Sequence, residues 1–88
     1  MAADLDAARA TLLAELREHA LVVGEVTLSS GRTAGYYVDA KRALLRPAGL
    51  RAAGRLIAAE AHDRGASAVG GMTMGADPLA SAAIVADV

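Results

Sequence analysis

The sequence predicts an α/β fold, and three patterns along its 88 residues point to that class. An amphipathic helix spans residues 4–20, and two short strands follow at 25–28 and 36–40. The remainder, 47–88, reads as helix, strand, glycine-rich loop and helix, a succession typical of domains with a parallel sheet. We expect two parts, an N-terminal helix with a hairpin over 1–46 and the start of an α/β core over 47–88, which reads as an unfinished fold.

The composition excludes several functional classes. Apolar residues make up 55% of the chain but aromatic residues only 2%, so the core is expected to be thin. A net charge of −1 gives no electrostatic footprint for nucleic acid or an anionic membrane. No apolar run approaches the ~20 residues of a spanning helix. Without Cys there is no disulfide framework or thiolate metal site, which fits a cytoplasmic protein.

The first helix should bury one face, and Asp4 is its expected N-cap. Leu13 should widen that face, and Gly24 is expected to mark a turn or the helix end. The face consists of Leu5, Ala8, Leu12, Leu16 and Ala20.

The two strands are expected to pair as an antiparallel hairpin connected through Ser29-Ser30-Gly31-Arg32. Hydroxyl groups with one guanidinium would suit a carboxylate or a phosphate, although such a segment is also typical of a solvated hairpin tip. Tyr36 and Tyr37 would stack on a flat ring, or one of them would fill the core. Lys41 and Arg42, just after the second strand, are either anion contacts or ordinary solvated charges, and Asp39 is either a ligand contact or a strand-end charge.

The next helix should run from Pro47 to about Arg64 and end at Gly65 in a left-handed conformation. Gly49 and Gly54 would weaken it unless another backbone approaches closely there. Its predicted buried stripe is Leu50, Ala53, Ile57 and Ala61.

A short buried strand is expected over 66–71, followed by a glycine-rich loop over 70–76. Asp77 should cap the last helix, with Pro78 in its first turn. That helix is apolar nearly all round, so burial on more than one side is expected. The loop is either a tight turn or an anion cradle made of backbone amides. Because the Asp77 carboxylate opposes a bare anion, a bound metal would reconcile the charges.

Spacing assigns no metal site. His19 and His62 each lie late in a helix, where a cation is favourable, so capping is the simplest role for both. No nucleophile with an adjacent base is recognisable.

Taken together, residues 26–42 (VTLSSGRTAGYYVDAKR) and 69–80 (VGGMTMGADPLA) resemble bacterial orotate phosphoribosyltransferases. The resemblance implies the N-terminal portion of a type I phosphoribosyltransferase fold: a helix with a hairpin hood, then the first βα unit of a parallel sheet. It also implies the reaction of orotate with 5-phosphoribosyl 1-diphosphate, with Mg²⁺, to give orotidine 5′-monophosphate and diphosphate in pyrimidine (UMP) biosynthesis.

By this resemblance, the orotate-side hood comprises Ser29, Ser30, Gly31, Arg32, Tyr36, Tyr37 and Val38, and the diphosphate loop comprises Met72, Thr73, Met74, Gly75 and Ala76. Asp39, Lys41 and Asp77 are further candidates. Some relatives have Lys at the position of Ser29, and others have Tyr-Lys at the positions of Met74 and Gly75. This sequence therefore lacks the direct lysine contacts of those positions and keeps the backbone amides.

The resemblance further implies a homodimer, in which a basic loop of the neighbouring subunit and a paired-acid ribose-phosphate motif complete the site. Neither motif occurs in these 88 residues, so we expect no catalytic residue here and little or no turnover. Two alternatives stay open: a non-catalytic subdomain that binds a ligand or partner through the apolar helix 78–88, and a phosphoribosyltransferase for another base.

Overall fold

The computed structural model describes residues 2–87 and arranges them as helices around a core, with one hairpin at the side. The helices are α1 (Ala2–Glu15), continued by a π-helical turn (Leu16–Ala20), α2 (Lys41–Leu44), α3 (Pro47–Asp63) and α4 (Asp77–Val85). The strands are β1 (Leu21–Thr27) and β2 (Thr33–Val38). None of the described helices is both long and apolar enough to cross a membrane.

The first predicted helix is confirmed, with two differences at its ends. It begins at Ala2, so Asp4 lies in its first turn and is not the N-cap. Its last turn, from Leu16 to Ala20, is π-helical. The predicted face is buried or half-buried, but Leu13 is 50% exposed and does not widen it. Leu13 lies about 100° round the helix from Leu12, which takes it out of the contact with α3.

The hairpin is antiparallel as predicted, and both strands begin earlier than the sequence indicated. The predicted turn at Gly24 is wrong, because β1 continues through that residue from Leu21. Gly24 has a φ of +127°, and the pairing register shifts between Val23 and Val26. The positive φ of Gly24 therefore allows a β-bulge. Sequence alone does not distinguish a glycine in a bulge from a glycine in a turn.

Alanine dominates the core between α1, α3 and α4. Among the residues whose burial the structure describes, the buried apolar ones are all alanines, namely Ala8, Ala20, Ala43, Ala52, Ala53, Ala58, Ala61 and Ala83. In the predicted stripe of α3, Ala53 and Ala61 are buried, whereas Leu50 and Ile57 are only half-buried. Small side chains let the helix axes approach closely, so the larger residues lie at the margins of the contact.

Two glycines of α3 provide the close approaches that the sequence suggested. A Cβ built on Gly54 would lie 2.7 Å from the carbonyl oxygen of Ala82 in α4. A Cβ on Gly49 would overlap the carbonyl of Ala43 in α2. Gly65 ends the helix with a φ of +69°, as predicted.

The strand predicted over 66–71 does not form. These residues are a connection without regular secondary structure, exposed except for half-buried Val69. A strand of a parallel sheet needs a hydrogen-bonded neighbour, and the two strands of the described chain pair only with each other. The α/β class is thus present as helices plus a two-stranded hairpin.

The last helix is also less covered than predicted. Among its described residues only Ala83 is buried, and Ile84 and Val85 are 60% and 88% exposed. The expected burial on more than one side is therefore wrong for this structure, in which α4 contacts α3 along one side.

Candidate functional site

Loop 72–76 (Met72 to Ala76) is a compact turn that leads into α4. The Ala76 amide donates to the Met72 carbonyl at 3.0 Å, and the Asp77 amide donates to the Met74 carbonyl at 3.3 Å. The Thr73–Met74 peptide bond is cis. Within residues 2–87, the amides of Thr73, Met74 and Gly75 donate no hydrogen bond to the protein. The loop thus presents several free donors close together, which is the pattern that suits an anion.

Asp77 takes a different role from the predicted one. It is the first residue of α4, and the N-cap position belongs to Ala76, whose side chain makes no cap hydrogen bond. The Asp77 carboxylate instead accepts a hydrogen bond from the Thr73 hydroxyl, with Oγ1 and Oδ2 2.5 Å apart. Because Asp77 is already the first helical residue, its carboxylate is not at the N-cap position, and its described hydrogen bond is the one from Thr73. The loop amides are therefore not consumed by Asp77.

A cavity of about 530 Å³ lies between this loop and the segment that follows β2. Its wall is mostly apolar, and Lys41 is the one charged residue in it. The lining consists of Ala40, Lys41, Leu44, Leu45, Met74, Gly75, Ala76, Pro78 and Leu79. The structure thus brings together two of the segments predicted to form the site, loop 72–76 and the residues just after the hairpin.

Lys41 is held by the neighbouring candidate Asp39. Lys41 Nζ lies 2.7 Å from Asp39 Oδ1, and the Asp39 amide donates to the Ala20 carbonyl at 2.9 Å. The hydrogen bond and the negative charge of Asp39 raise the pKa of Lys41 above its usual 10.5. Slight desolvation and the charge of Arg42 act in the opposite direction. Lys41 is consequently a firmly charged ammonium group beside the cavity.

The hairpin tip is ordered by its own backbone and is open to solvent. The Leu28 amide donates to the Arg32 carbonyl at 2.7 Å, and the Gly31 amide donates to the Leu28 carbonyl at 2.9 Å. The Arg32 amide also contacts the Ser30 hydroxyl at 3.4 Å. Ser29, Ser30 and Arg32 are exposed, so their side chains are available to a ligand.

The two tyrosines do not act as a pair. They are consecutive in β2, so their side chains point to opposite faces of the ribbon. Tyr36 is 64% exposed opposite Val23, and Tyr37 is 43% exposed opposite Val22. Only one of the two tyrosines can therefore stack on a given face of a ligand. Val38 points to the same side of the ribbon as Tyr36. Residues 29–38 do not line the cavity beside loop 72–76, so the hairpin reaches that cavity only through the Asp39–Lys41 segment.

One cluster of possible metal ligands was not predicted from the residue spacing. It consists of Glu15, Glu18 and His19, whose potential ligand atoms all lie within 4.8 Å of one another. Their i, i+3, i+4 spacing on a helix was the available signal. Much of the cluster is already paired: Glu15 Oε2 lies 3.4 Å from His19 Nε2, and Glu15 Oε1 lies 3.2 Å from Arg46 Nε. Glu15 is buried, and these bonds tie the end of α1 to the start of α3. The arrangement is accounted for as a packing contact.

His62, the other histidine, links two helix ends. Its Nε2 lies 2.5 Å from the Asp87 carbonyl oxygen just beyond α4. His62 therefore bonds to a residue that follows α4 and does not cap α3.

Comparison with known proteins gives one consistent result, although no protein-family model matches the chain. The chain is 49% identical over 80 residues to the orotate phosphoribosyltransferase of Corynebacterium glutamicum, which covers 91% of this chain and 44% of that protein. It is 44% identical over 78 residues to that of Streptomyces avermitilis, covering 89% and 43%. The chain spans less than half the length of these curated relatives.

Comparison with solved structures gives the same result as the comparison of sequences. The crystal structure of Mycobacterium tuberculosis orotate phosphoribosyltransferase in complex with Fe(III) dicitrate superposes with a TM-score of 0.81 at 46% identity. That of the same enzyme in complex with inorganic phosphate superposes with a TM-score of 0.78. Each match covers 92% of this chain and 48% of the other. The resemblance seen in the two motifs is confirmed: by sequence and by structure, the chain is related to the bacterial orotate phosphoribosyltransferases and matches the N-terminal part of their fold.

Proposed function

We propose that this chain forms the orotate- and diphosphate-facing part of an orotate phosphoribosyltransferase of pyrimidine (UMP) biosynthesis. In the reaction, the bond from the ribose anomeric carbon to the diphosphate breaks, and a bond from that carbon to the orotate ring nitrogen forms. The nitrogen loses its proton, and the products are orotidine 5′-monophosphate and diphosphate. The observation that supports this role most directly is loop 72–76, whose free amides lie beside a cavity that also receives Lys41.

Loop 72–76 would stabilise the charge that develops on the leaving diphosphate. Amide donors that are already oriented need no reorganisation during the reaction, which makes them effective for a developing anion. The related Mycobacterium tuberculosis enzyme has been crystallised in complex with inorganic phosphate, which is consistent with an anion as ligand of this chain. On the other side, the Arg32 guanidinium at the hairpin tip would bind the orotate carboxylate through its planar fork. One tyrosine of β2 would cover the pyrimidine ring.

Mg²⁺ fits this arrangement as an ion carried by the diphosphate. Asp77 is the carboxylate beside the loop, and one of its oxygens is bonded by the Thr73 hydroxyl. The other oxygen makes no described hydrogen bond and is a hard ligand of the kind that Mg²⁺ prefers. When bound, Mg²⁺ would neutralise the diphosphate charge, and the Thr73 hydroxyl would hold the Asp77 carboxylate in a fixed position.

Amide-resolved NMR of the 88-residue chain tests the placement. Inorganic diphosphate with Mg²⁺ should shift the amide signals of Thr73, Met74 and Gly75, and orotate should shift those of the hairpin. Arg32→Gln should abolish the orotate response, whereas Arg17→Gln, at an exposed position on the π-helical turn, should leave it intact. Uniform small shifts across the chain, with no maximum in these two segments, would contradict the proposal.

We further propose that turnover requires the basic loop and paired-acid motif of longer relatives, in a cytoplasmic homodimer. A mixture of this chain with orotate, phosphoribosyl diphosphate and Mg²⁺ should therefore release no diphosphate above the blank. Clear release would show that the 88 residues suffice.

A partner-binding subdomain is a second candidate, favoured by the exposure of Ile84 and Val85 on α4. Exposed apolar side chains on a helix are typical of a contact surface. Sedimentation combined with diphosphate titration distinguishes the two: a stable and well-folded oligomer that binds no diphosphate supports partner binding, whereas a chain that binds diphosphate, as monomer or dimer, supports the transferase role.

A further inference from the structure

We infer that Lys41 is a ligand-binding residue of the diphosphate site, where its ammonium group contacts an anionic oxygen held by the amides of loop 72–76. The inference rests on the proposed function and adds a named residue to it.

The position of Lys41 is the first argument. Lys41 begins α2 directly after the hairpin, and it lines the same cavity as Met74, Gly75 and Ala76. Because the rest of the cavity wall is apolar, an anion bound by the loop would meet a single cationic side chain there, Lys41. Arg42, its neighbour in sequence, does not line this cavity.

The composition of the loop is the second argument. No Lys or Arg occurs between Gly65 and Val88, so the loop has no cation of its own. Neutral amides alone bind a highly charged group less strongly than amides combined with a charged donor, because charge-assisted hydrogen bonds are roughly twice as strong as neutral ones. A cation delivered from another segment would compensate, and Lys41 lies where it can do so.

The contact with Asp39 holds Lys41 in place without using all of its hydrogen-bond donors. Asp39 Oδ1 accepts from Lys41 Nζ at 2.7 Å, while the Asp39 backbone is fixed through its bond to Ala20. An ammonium group has three donors, so two remain for a ligand after the bond to Asp39. A diphosphate would share the ammonium group with Asp39, and the raised pKa of Lys41 keeps that group charged across the physiological range.

Titration of the 88-residue chain with inorganic diphosphate, with and without Mg²⁺, tests the inference through the amide shifts of Met74 and Gly75. Lys41→Ala should weaken diphosphate binding by about tenfold or more, the loss expected for one charge-assisted hydrogen bond. Lys41→Arg should restore part of it. Arg42→Ala is the matched control, since it removes an adjacent exposed cation, and its affinity should stay within about twofold of the parent chain.

The outcomes separate this inference from the proposed function. If diphosphate shifts the loop amides of the parent chain and Lys41→Ala binds equally well, the role of Lys41 is refuted while the loop remains the site. An equal loss in Arg42→Ala would show that general surface charge is responsible, and this also refutes it. If diphosphate shifts no loop amide of the parent chain, both proposals fail. Because Lys41 is exposed, its variants should keep the parent's dispersed amide spectrum, which is recorded first.

Discussion

Gly54 of α3 and Ala82 of α4 meet backbone to backbone: a Cβ built on Gly54 would lie 2.7 Å from the Ala82 carbonyl oxygen and 2.9 Å from its carbonyl carbon. The contact brings α4 directly against α3. Since loop 72–76 leads into α4, the position of the loop relative to Lys41 depends on this helix pair.

Gly54→Ala should therefore destabilise the chain, although alanine is the better helix former. The gain in helix propensity is about 1 kcal/mol, whereas forcing a methyl group into a filled contact costs about 1–3 kcal/mol and here meets rigid backbone. We expect a net loss of about 1–2 kcal/mol in the free energy of unfolding, measured by urea denaturation.

Gly35→Ala is the control for this substitution. A Cβ at Gly35 would meet nothing within 4 Å, and its backbone does not require positive φ. Its unfolding free energy should match the parent or exceed it slightly. A Gly54→Ala variant as stable as the parent chain would show that α3 and α4 are not in close contact.

Arg46→Ala should also destabilise the chain, by about 1–2 kcal/mol, because it removes a charged hydrogen-bond donor from a buried carboxylate. The Arg46 side chain is about half exposed at 49%, which keeps the cost below that of a fully buried pair. Glu15 is left with His19 as its remaining described partner. Urea denaturation near neutral pH gives the difference.

Arg9→Ala provides the comparison, since Arg9 forms an exposed i, i+3 pair with Asp6 on the same helix. The expected change is within about 0.5 kcal/mol. Equal effects of the two substitutions would mean that the Glu15–Arg46 contact adds nothing beyond an ordinary surface pair.

Gly71→Ala should distort the loop that follows it. A Cβ at Gly71 would lie 2.6 Å from the Cβ of Ala76, a methyl group that has no other rotamer to adopt. The amides of loop 72–76 should then lose their common orientation, and diphosphate binding should weaken by about tenfold, or about 1.4 kcal/mol. Gly70→Ala, where a Cβ would meet nothing within 4 Å, should bind as the parent chain does. If the Gly71→Ala variant binds diphosphate with unchanged affinity, the geometry of loop 72–76 does not determine binding.

The pKa of Lys41 should respond to its two charged neighbours in opposite directions. Asp39 raises this pKa, so Asp39→Asn should bring it down toward 10.5; Arg42 lowers it, so Arg42→Ala should raise it further. Because the folded-state pKa is the higher one, the stabilisation from this pair is present below the unfolded-state pKa and is lost as the pH rises through the folded-state value. An NMR titration of the Lys41 side chain above pH 9 reads out both shifts, and a pKa insensitive to Asp39→Asn would show that the pair does not persist in solution.

Local signals predicted the three longer helices and the hairpin, whereas the short helix α2 was not predicted. Pro47 and Gly65 bracket α3 because proline suits a first turn and glycine a left-handed end, and both effects act within a few residues. The hairpin follows from β-branched residues on either side of a Ser-Ser-Gly-Arg turn. Gly24 was misassigned because turns and bulges use the same positive φ.

What the sequence did not predict depends on partners distant in the chain. Residues 66–71 have the composition of a strand, but a strand exists only beside another strand, and the described residues provide none for it. Asp77 has the residue type of an N-cap, yet the Thr73 hydroxyl binds it from within the loop. The Asp39–Lys41 bond and the cavity shared by Lys41 and Met74 join segments that periodicity treats separately.

The bulge at Gly24 offsets the two strands of the hairpin by one residue. From Val23 to Val26, β1 advances three residues while β2 advances two, from Tyr36 to Ala34, so one extra residue is absorbed there. Tyr36 and Tyr37 pair with Val23 and Val22 before the bulge, so the extra residue does not change the face on which either ring lies. Sequences that lack this glycine should therefore form a regular ladder with the same partners, keep each phenol ring on its present face, and lose the extra twist that the bulge gives the hairpin.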